Sequence, residues 1–454
     1  MSKVIKLRKG FTINLAGRAE LKVAGEVMPE TFAIKPTDFH GIQRPKVLVK
    51  EGDTVKAGTP ILYDKANPKV QIVAPVSGEI AEVVRGAKRK LLEIRILADR
   101  TVAYEEFPKL SSNDVANLQR EEVVELLAKS GAWPNLVQRP YGIIASPDET
   151  PKAIFISSFD THPLAPDYDF LLRGQERYFQ AGIDLLRKLT DGPVHIGLNA
   201  DAEVSPVFTS VKGATQHKFS GKHPVGNVGV QIHHIDPINK GDIVWTINPY
   251  GVAQIGKLLV DGRYDSSKLV AVVGSEVKEP HYVKTWGGAN VGKLLAGKIK
   301  QENVRYVSGN VLTGTNVGKD GYLGYFDNMV TILPEGNHYE FLGWLTVTPK
   351  KYSYHRAFGL LSFLNRSKPY VIDTNLQGEE RAWVQTGTFD NMIPMDIMPE
   401  YLLKSIMAED YDGMESLGIY EVIEEDMALC EFIDVSKHDV QAILREGLTL
   451  MQYS

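Results

Sequence analysis

The sequence predicts a multidomain protein of mixed α/β and β architecture, and three observations carry that prediction. The chain has 454 residues, about three times what a single domain of roughly 150 residues needs. Apolar residues make up 43% and charged residues 24%, the balance of a folded, soluble chain, which leaves no room for wholesale disorder or a fibrous repeat. The patterning changes character along the chain: glycine-punctuated short strands, strands alternating with helices, a second β-rich stretch, and finally helices. We set the boundaries at residues 1–104, 105–262, 263–348 and 349–454.

Composition also narrows function. A formal net charge of −5 lacks the basic footprint that a phosphate backbone demands, so no nucleic acid partner is expected. The single cysteine, Cys430, excludes an intrachain disulfide and any all-cysteine cluster held by this chain alone, and it fits a reducing compartment. No run of roughly 18 apolar residues occurs, and the N-terminal MSKVIKLRKGF has basic residues without an apolar stretch behind them. Neither a membrane span nor export is expected.

Between residues 46 and 97 the stretches KVLVKEGDTVKAGTPILY, VQIVAPVSGEIAEVV and KLLEIRIL alternate or run apolar between turn signals at Glu51-Gly52-Asp53, Gly58-Thr59-Pro60 and Ser77-Gly78. That is the pattern of a small all-β unit. The string VKEGDTVKAGTPI…APVSGEI resembles the barrel-sandwich domains of biotinyl and lipoyl carriers, whose activity needs a lysine on an exposed hairpin. Counting back from Ala74-Pro75 puts that position at Asn67-Pro68, without an amine, and leaves Lys65 and Lys69 off the tip. A barrel-sandwich hybrid fold without the carrier modification is expected. Arg85, Lys88, Arg89 and Lys90 read as a solvated basic hairpin, or as a patch for anionic lipid or an acidic partner face.

Residues 113–130, NDVANLQREEVVELLAKS, read as one amphipathic helix opened by Asn113 or Asp114 and closed before Gly131. KAIFISSF is a buried strand, RYFQAGIDLLRKL from Arg177 a helix, and VHIGLNA, GDIVWTI and KLVAVVG further strands. Such alternation predicts a mostly parallel, Rossmann-like α/β layer. The loops after Phe159 and Asn199 then lie where such sheets bind ligands. From 268 to 334 a strand pair, a helix around 291–296 and further strands fit a β-grasp, SLBB-like domain. Past Pro349 the pattern turns aromatic and polar, and from Met395 onward PEYLLKSIMAED, GMESLGIYEVIEED and KHDVQAILREGLTLM read as helices.

The segment VVELLAKSG…PKAIFISSFDTHPLAPDYDFLL…AGIDLLRKL resembles the flavin-binding layer of the NADH-oxidising subunit of complex I and of the C subunit of the Rnf complex. There a glycine-rich loop brings backbone amides to the flavin phosphate, an approach that only glycine permits without Cβ collisions. Here the loop reads Gly131-Ala132-Trp133-Pro134-Asn135-Leu136-Val137-Gln138-Arg139-Pro140. Two prolines remove amide donors and Trp133 takes the space of the phosphate. The C-terminal NMIPMDIMPEYLLKSIMAEDYDGMESLGIYEVIEEDMALCEFIDVSKHDV resembles the two-cluster ferredoxin segment of the Rnf protein without its clusters. Met392, Met395 and Asp396 stand in the first cysteine run, and Cys430 alone remains in the second, as a small buried apolar residue.

Together with FHGIQRPKVLVKEGDTVKAGTPIL, RGAKRKLLEIRI and FSGKHPVGNVGVQIHH, these segments make the chain resemble the A subunits of bacterial sodium-translocating NADH:quinone reductases over essentially its whole length. The resemblance implies a peripheral subunit on the cytoplasmic face of the bacterial inner membrane, one of six different subunits. It implies no redox cofactor bound by this chain, quinone as substrate, and flavins, iron–sulfur and Na+ on partner subunits.

Candidate residues are few. His217, His223, His233 and His234 lie in GATQHKFSGKHPVGNVGVQIHH; with no i, i+4 helical pair and no nearby cysteine they lack zinc spacing, and the segment reads as a loop followed by a strand at IHH. One reading makes them connector histidines bonded to backbone. The other makes His223-Pro224-Val225-Gly226, with His233 and the apolar wall of Trp133, a quinone-headgroup site in which a neutral imidazole donates to a carbonyl. Asp160, Asp167 and Asp169 read as loop acids and caps, or as paired carboxylates for acid–base chemistry. Trp286-Gly287-Gly288 is a core anchor or the border of a slot. No catalytic and no metal-binding residue is expected. Two functions stay open: a subunit that shapes the quinone site of a Na+-exporting oxidoreductase and is inactive in isolation, and a docking scaffold for the membrane subunits.

Overall fold

The computed structural model describes residues 4–343, 351–352, 354–355, 368–384 and 386–453 and carries the expected fold classes in the expected order. The boundary at 348/349 falls outside the described residues. In the barrel-sandwich unit, Thr31–Ile34, Leu91–Ala98, Gly78–Arg85 and Thr54–Val55 form one sheet in that order, and Pro45–Val47, Pro60–Asp64 and Asn67–Val73 form the other. Alternation along each strand turns Phe32, Ile61, Ile72, Ile80, Ile94 and Ile96 into a shared core. Val4–Lys6 and Val23–Glu26, expected within this unit, instead complete the sheets of the next two.

The hairpin tip corrects the count made from Ala74-Pro75. The ladder steps from Tyr63↔Gln71 to Asp64↔Asn67, so residues 68–70 are extra on the second strand and the tip moves back to Lys65 and Ala66. Lys65 is therefore exposed at the tip and Asn67 is already paired. The Asp64 carboxylate holds the turn, accepting from the backbone N–H groups of Gln43, Arg44 and Ala66 at 3.1, 3.1 and 3.2 Å.

The α/β layer is a seven-stranded sheet ordered Val4–Lys6, Thr215–Ser220, Val194–Asn199, Ala153–Ser157, Val244–Thr246, Val137–Arg139, Ile143–Ile144. The first five are parallel, Val137–Arg139 runs against them, and Ile143–Ile144 pairs antiparallel with Val137–Arg139. Helices Glu176–Leu186 and Pro249–Asp261 cross on it at glycines: a Cβ at Gly256 would stand 1.7 Å from the Tyr178 carbonyl oxygen. The single helix expected at 113–130 is two, Ser112–Asn117 and Arg120–Ser130. The Ser111/Asp114 capping box starts the first one residue outside the expected span, and Gln119 with Glu122 restarts the second after extended Leu118. KLVAVVG belongs to the next sheet, not to this layer.

That next sheet is six-stranded, ordered Thr315–Asn316, Val304–Ser308, Met329–Pro334, Ser267–Val273, His281–Trp286, Val23–Glu26, and its core is continuous with that of the barrel. The C-terminal helices are Pro399–Met407, Tyr411–Ser416, Glu424–Ile433 and Val440–Tyr453. GMESLGIYEVIEED does not form one helix, because Gly418 takes a positive φ of 98° and breaks it. Cys430 is fully buried in the third helix, where burial raises its thiol pKa well above the ordinary value. Among the described residues no helix is long and apolar enough to cross a membrane.

Candidate functional site

The chain leaves the strand Ala153–Ser157 to add Val194–Asn199 and Thr215–Ser220 on one side of it, then returns to add Val244–Thr246 on the other. Where the winding reverses, the connections after neighbouring strands depart in opposite directions and a crevice opens beyond the carboxyl ends. A cleft of about 330 Å³ lies there, lined by Phe159, Asp160 and His162 after one strand and by Ile247, Asn248 and Pro249 after the other. The rest of the chain closes it: Asp38 and His40 from the barrel stretch, Phe326 from the connection before the strand Met329–Pro334, and Ile423 and Glu425 at the start of the helix Glu424–Ile433.

The loop after Ser157 is fixed by its own side chains. One Asp160 oxygen accepts from the backbone N–H of His162 at 2.8 Å and lies 2.6 Å from its Nδ1. Ser157 Oγ donates to the Phe159 carbonyl at 2.9 Å. Thr161 Oγ1 accepts from the Gly226 N–H at 3.0 Å and sits 3.1 Å from His223 Nδ1. A Cβ at Gly226 would stand 2.8 Å from the Thr161 nitrogen, so the two loops meet only because residue 226 is glycine. His162 is 8% exposed, its Nε2 has no partner among the described residues, and its ring lies 4.6 Å from that of His223.

Burial works against the charged form of His162, but the Asp160 charge and hydrogen bond, joined by Glu425 and Asp426, outweigh it and raise the imidazole pKa. Burial likewise opposes the Asp160 carboxylate, and His162 outweighs that, holding its pKa below the usual range. Burial, with His162 beside it, pushes the His223 imidazole down to about 3, which leaves it neutral. The site is thus a hydrogen-bonded imidazole–carboxylate pair in which each group favours the other's charged form, with a neutral ring behind it.

A second ion pair joins the cleft to the C-terminal helices. Arg139, 1% exposed, places Nη1 2.7 Å from Asp426 and Nη2 2.6 Å from Glu425. The pair lies against the helix Val228–Ile235 at Gly229, whose Cβ would stand 2.5 Å from Asp426 Oδ2.

Of the expected quinone-site residues, Gly226 lines the cleft. His223, 2% exposed, stands behind His162 with Pro224 beside it. Trp133 is in the core, donating to the Ala145 carbonyl at 2.8 Å and edge-on to Trp245. His233 lies away from the cleft, its Nδ1 2.6 Å from Glu421 and its Nε2 accepting from the Asp396 N–H. IHH is the end of a helix rather than a strand: Val230 and Ile232 are buried, and Gln231 donates to Ser157 Oγ at 2.8 Å, so tertiary contacts override a β-branched local preference. His217 pairs with His195 at 3.0 Å and His234 with the Pro394 carbonyl at 2.8 Å. Among the described residues no group of three metal-ligating side chains is placed to hold an ion. Asp167 caps the helix Tyr168–Leu171, accepting from the Phe170 N–H, Asp169 in its first turn accepts from the Ser205 N–H, and Asp160 caps no helix but holds His162. Sequence reasoning missed His162 and Arg139. For His162 a signal was present, an Asp-x-His run at the carboxyl end of a strand.

Three family models match the chain: the NqrA N-terminal barrel-sandwich hybrid domain over residues 5–99, the NqrA second alpha/beta domain over 118–264 and the NQRA C-terminal domain over 269–319. The chain is 37% identical over 451 residues to the A subunit of the Na(+)-translocating NADH-quinone reductase of Hahella chejuensis. It is 35% identical over 459 residues to the corresponding protein of Serratia proteamaculans and 35% over 450 residues to that of Neisseria meningitidis serogroup B. Each alignment covers 99% of this chain and 99% of the relative.

Proposed function

The chain belongs to the family of Na(+)-translocating NADH-quinone reductase A subunits, and from that premise we propose that its cleft receives the quinone headgroup of such a complex. A headgroup needs an apolar slot and one or two directional polar contacts. Ile143, Phe159, Val228, Ile247 and Phe326 supply the slot. The observation that carries the reading is the place of the cleft, at the reversal of the strand order, with that apolar wall on one side and the loop of Asp160 and His162 on the other. His162 lines the cleft and His223 does not, so in this reading the polar contact expected of His223 falls to the His162 loop, with His223, Pro224 and Gly226 supporting it.

In this reading the chain is a peripheral subunit on the cytoplasmic face of the inner membrane, held there by the other members of a six-subunit complex. Flavin and iron–sulfur carriers and the Na+ path lie on those partners. The loop 131–140 favours this division, since Trp133 and two prolines stand where a flavin phosphate would approach.

The test is titration of a soluble short-chain quinone analogue against the purified chain. His162→Ala should weaken binding by about two- to tenfold, the worth of one hydrogen bond, and Val228→Trp should abolish it by filling the slot. Unchanged affinity in both variants puts the headgroup elsewhere. Absence of saturable binding to the wild-type chain, alone and in the complex, leaves the docking scaffold.

A further inference from the structure

Resting on the quinone reading of the cleft, we propose that Lys268, a buried lysine that does not itself line the cleft, is a positioning residue for it: its side chain holds the two backbone carbonyls on either side of Phe326 and so fixes that residue in the cleft wall. Lys268 stands second in the strand Ser267–Val273, where alternation puts it on the face of Val270 and Val272, in the core that the second sheet shares with the barrel. That face calls for an apolar residue. A lysine there, 5% exposed, is costly unless its charge is met by hydrogen bonds.

The bonds it makes bracket one residue. Nζ donates to the Tyr325 carbonyl at 3.0 Å and to the Asp327 carbonyl at 2.7 Å, and it lies 5.7 Å from the centre of the Tyr250 ring. Phe326, between the two carbonyls, lines the cleft. Burial lowers the Lys268 pKa to about 8, against the pull of Asp327 and Asp38, so the amine is charged at neutral pH and both bonds are of the stronger, charge-assisted kind.

The same short connection is gripped from its other sides. The Tyr325 N–H donates to Asp38 Oδ2 at 2.9 Å. Ser308 Oγ donates to Asp327 Oδ2 at 2.5 Å and accepts from the Gly324 N–H at 2.8 Å. A Cβ at Gly324 would stand 2.3 Å from Asp327 Oδ2, so this turn closes only on glycine. The Phe39 ring lies 4.7 Å from that of Tyr325 and 6.0 Å from that of Phe326. Asp38 and Phe326 both line the cleft, and the bond from Tyr325 to Asp38 therefore ties the barrel's part of the wall to the part that Lys268 holds. Without the ammonium, two carbonyls lose their donor and regain a partner only by turning toward water, a movement that carries Phe326 with it. Lys268 transfers no proton and touches no ligand in this role.

The test is a double-mutant cycle in the assembled complex, read as affinity for a soluble short-chain quinone analogue. Phe326→Ala should weaken binding by about tenfold, the worth of an aromatic ring lost from an apolar slot. Lys268→Met, which keeps the reach and loses the charge, should weaken it by about three- to tenfold. The double variant should bind within about twofold of Phe326→Ala alone, because with no ring to place the clamp has nothing left to set. A lysine that merely stabilised the fold would multiply the two losses. Multiplied losses, or a Lys268→Met complex with wild-type affinity, overturn the proposal, and the quinone reading stands as long as Phe326→Ala or Val228→Trp weakens binding. If Phe326→Ala alone leaves affinity untouched, the proposal is overturned; if Val228→Trp leaves it untouched as well, the quinone reading falls with it. Should Lys268→Met fail to assemble, amide exchange of the wild-type protein decides. The Tyr325 N–H should exchange at least about 10²-fold more slowly than in an unstructured chain, and exchange at the open-chain rate overturns the proposal.

Discussion

Replacing Arg139 with methionine should loosen the C-terminal helices from the α/β layer. Arg139 is 1% exposed and the Asp426 side chain is fully buried, with Nη1 2.7 Å from its carboxylate. Methionine keeps an apolar stem of similar reach, so the change removes charge and hydrogen bonds more than packing. Removing one partner of a buried pair costs about 3–5 kcal/mol, because the other is left desolvated and unpaired. Glu425, 31% exposed, can rehydrate, which holds the expected loss near about 3 kcal/mol, or about 10²-fold in a local opening equilibrium. Amide hydrogen exchange of the helix Glu424–Ile433 reads that opening directly, without requiring the whole chain to unfold in one step. The expected result is about a 10²-fold loss of protection in that helix, with the barrel strands unaffected. Arg139→Met combined with Asp426→Leu should recover most of the protection, since the orphaned charge is gone. A single variant whose helix exchanges within about fivefold of the parent, the range of an exposed ion pair, would refute the reasoning.

Other outcomes rest on the same geometry. His223 has a folded pKa of about 3, below the ordinary value of about 6.5, so the unfolded chain binds the extra proton between those values and stability falls as the pH drops through that window. His223→Asn should flatten that slope, by at most about 1.4 kcal/mol per pH unit, in denaturation followed by tryptophan fluorescence. His162 has the opposite sign: its raised pKa gives stability that is complete below the unfolded value and lost as the pH rises through the folded one, so His162→Asn should cost more below the ordinary imidazole pKa of about 6.5 than at alkaline pH. Gly229→Ala should cost about 1–3 kcal/mol in the same exchange assay, because its Cβ meets Asp426 and Arg139 at 2.5 and 2.6 Å. The purified chain should show no flavin absorbance; one equivalent of flavin counts against the reading of the loop 131–140.

The sequence by itself determined the order of fold classes, because hydrophobic period is local. VQIVAPVSGEIAEVV alternates and KAIFISSF runs apolar whatever lies around them, and both became strands. It also marked Trp133 and Cys430 as apolar residues, and both are fully buried. Tertiary structure decided the rest. VGVQIHHI is a short β-branched apolar run that period alone cannot assign, and burial of Val230 and Ile232 with the bond from Gln231 to Ser157 made it a helix. The tip at Lys65 depended on a register shift that no turn signal marks. The cleft joins residues 38, 139, 162, 228, 326 and 425, separated by up to hundreds of positions, and no spacing rule connects them. Arg139 gains its partners only when Asp426 is carried out of water against Gly229, for the interaction between two charges is set by their distance and surroundings in the folded chain and not by their places along it.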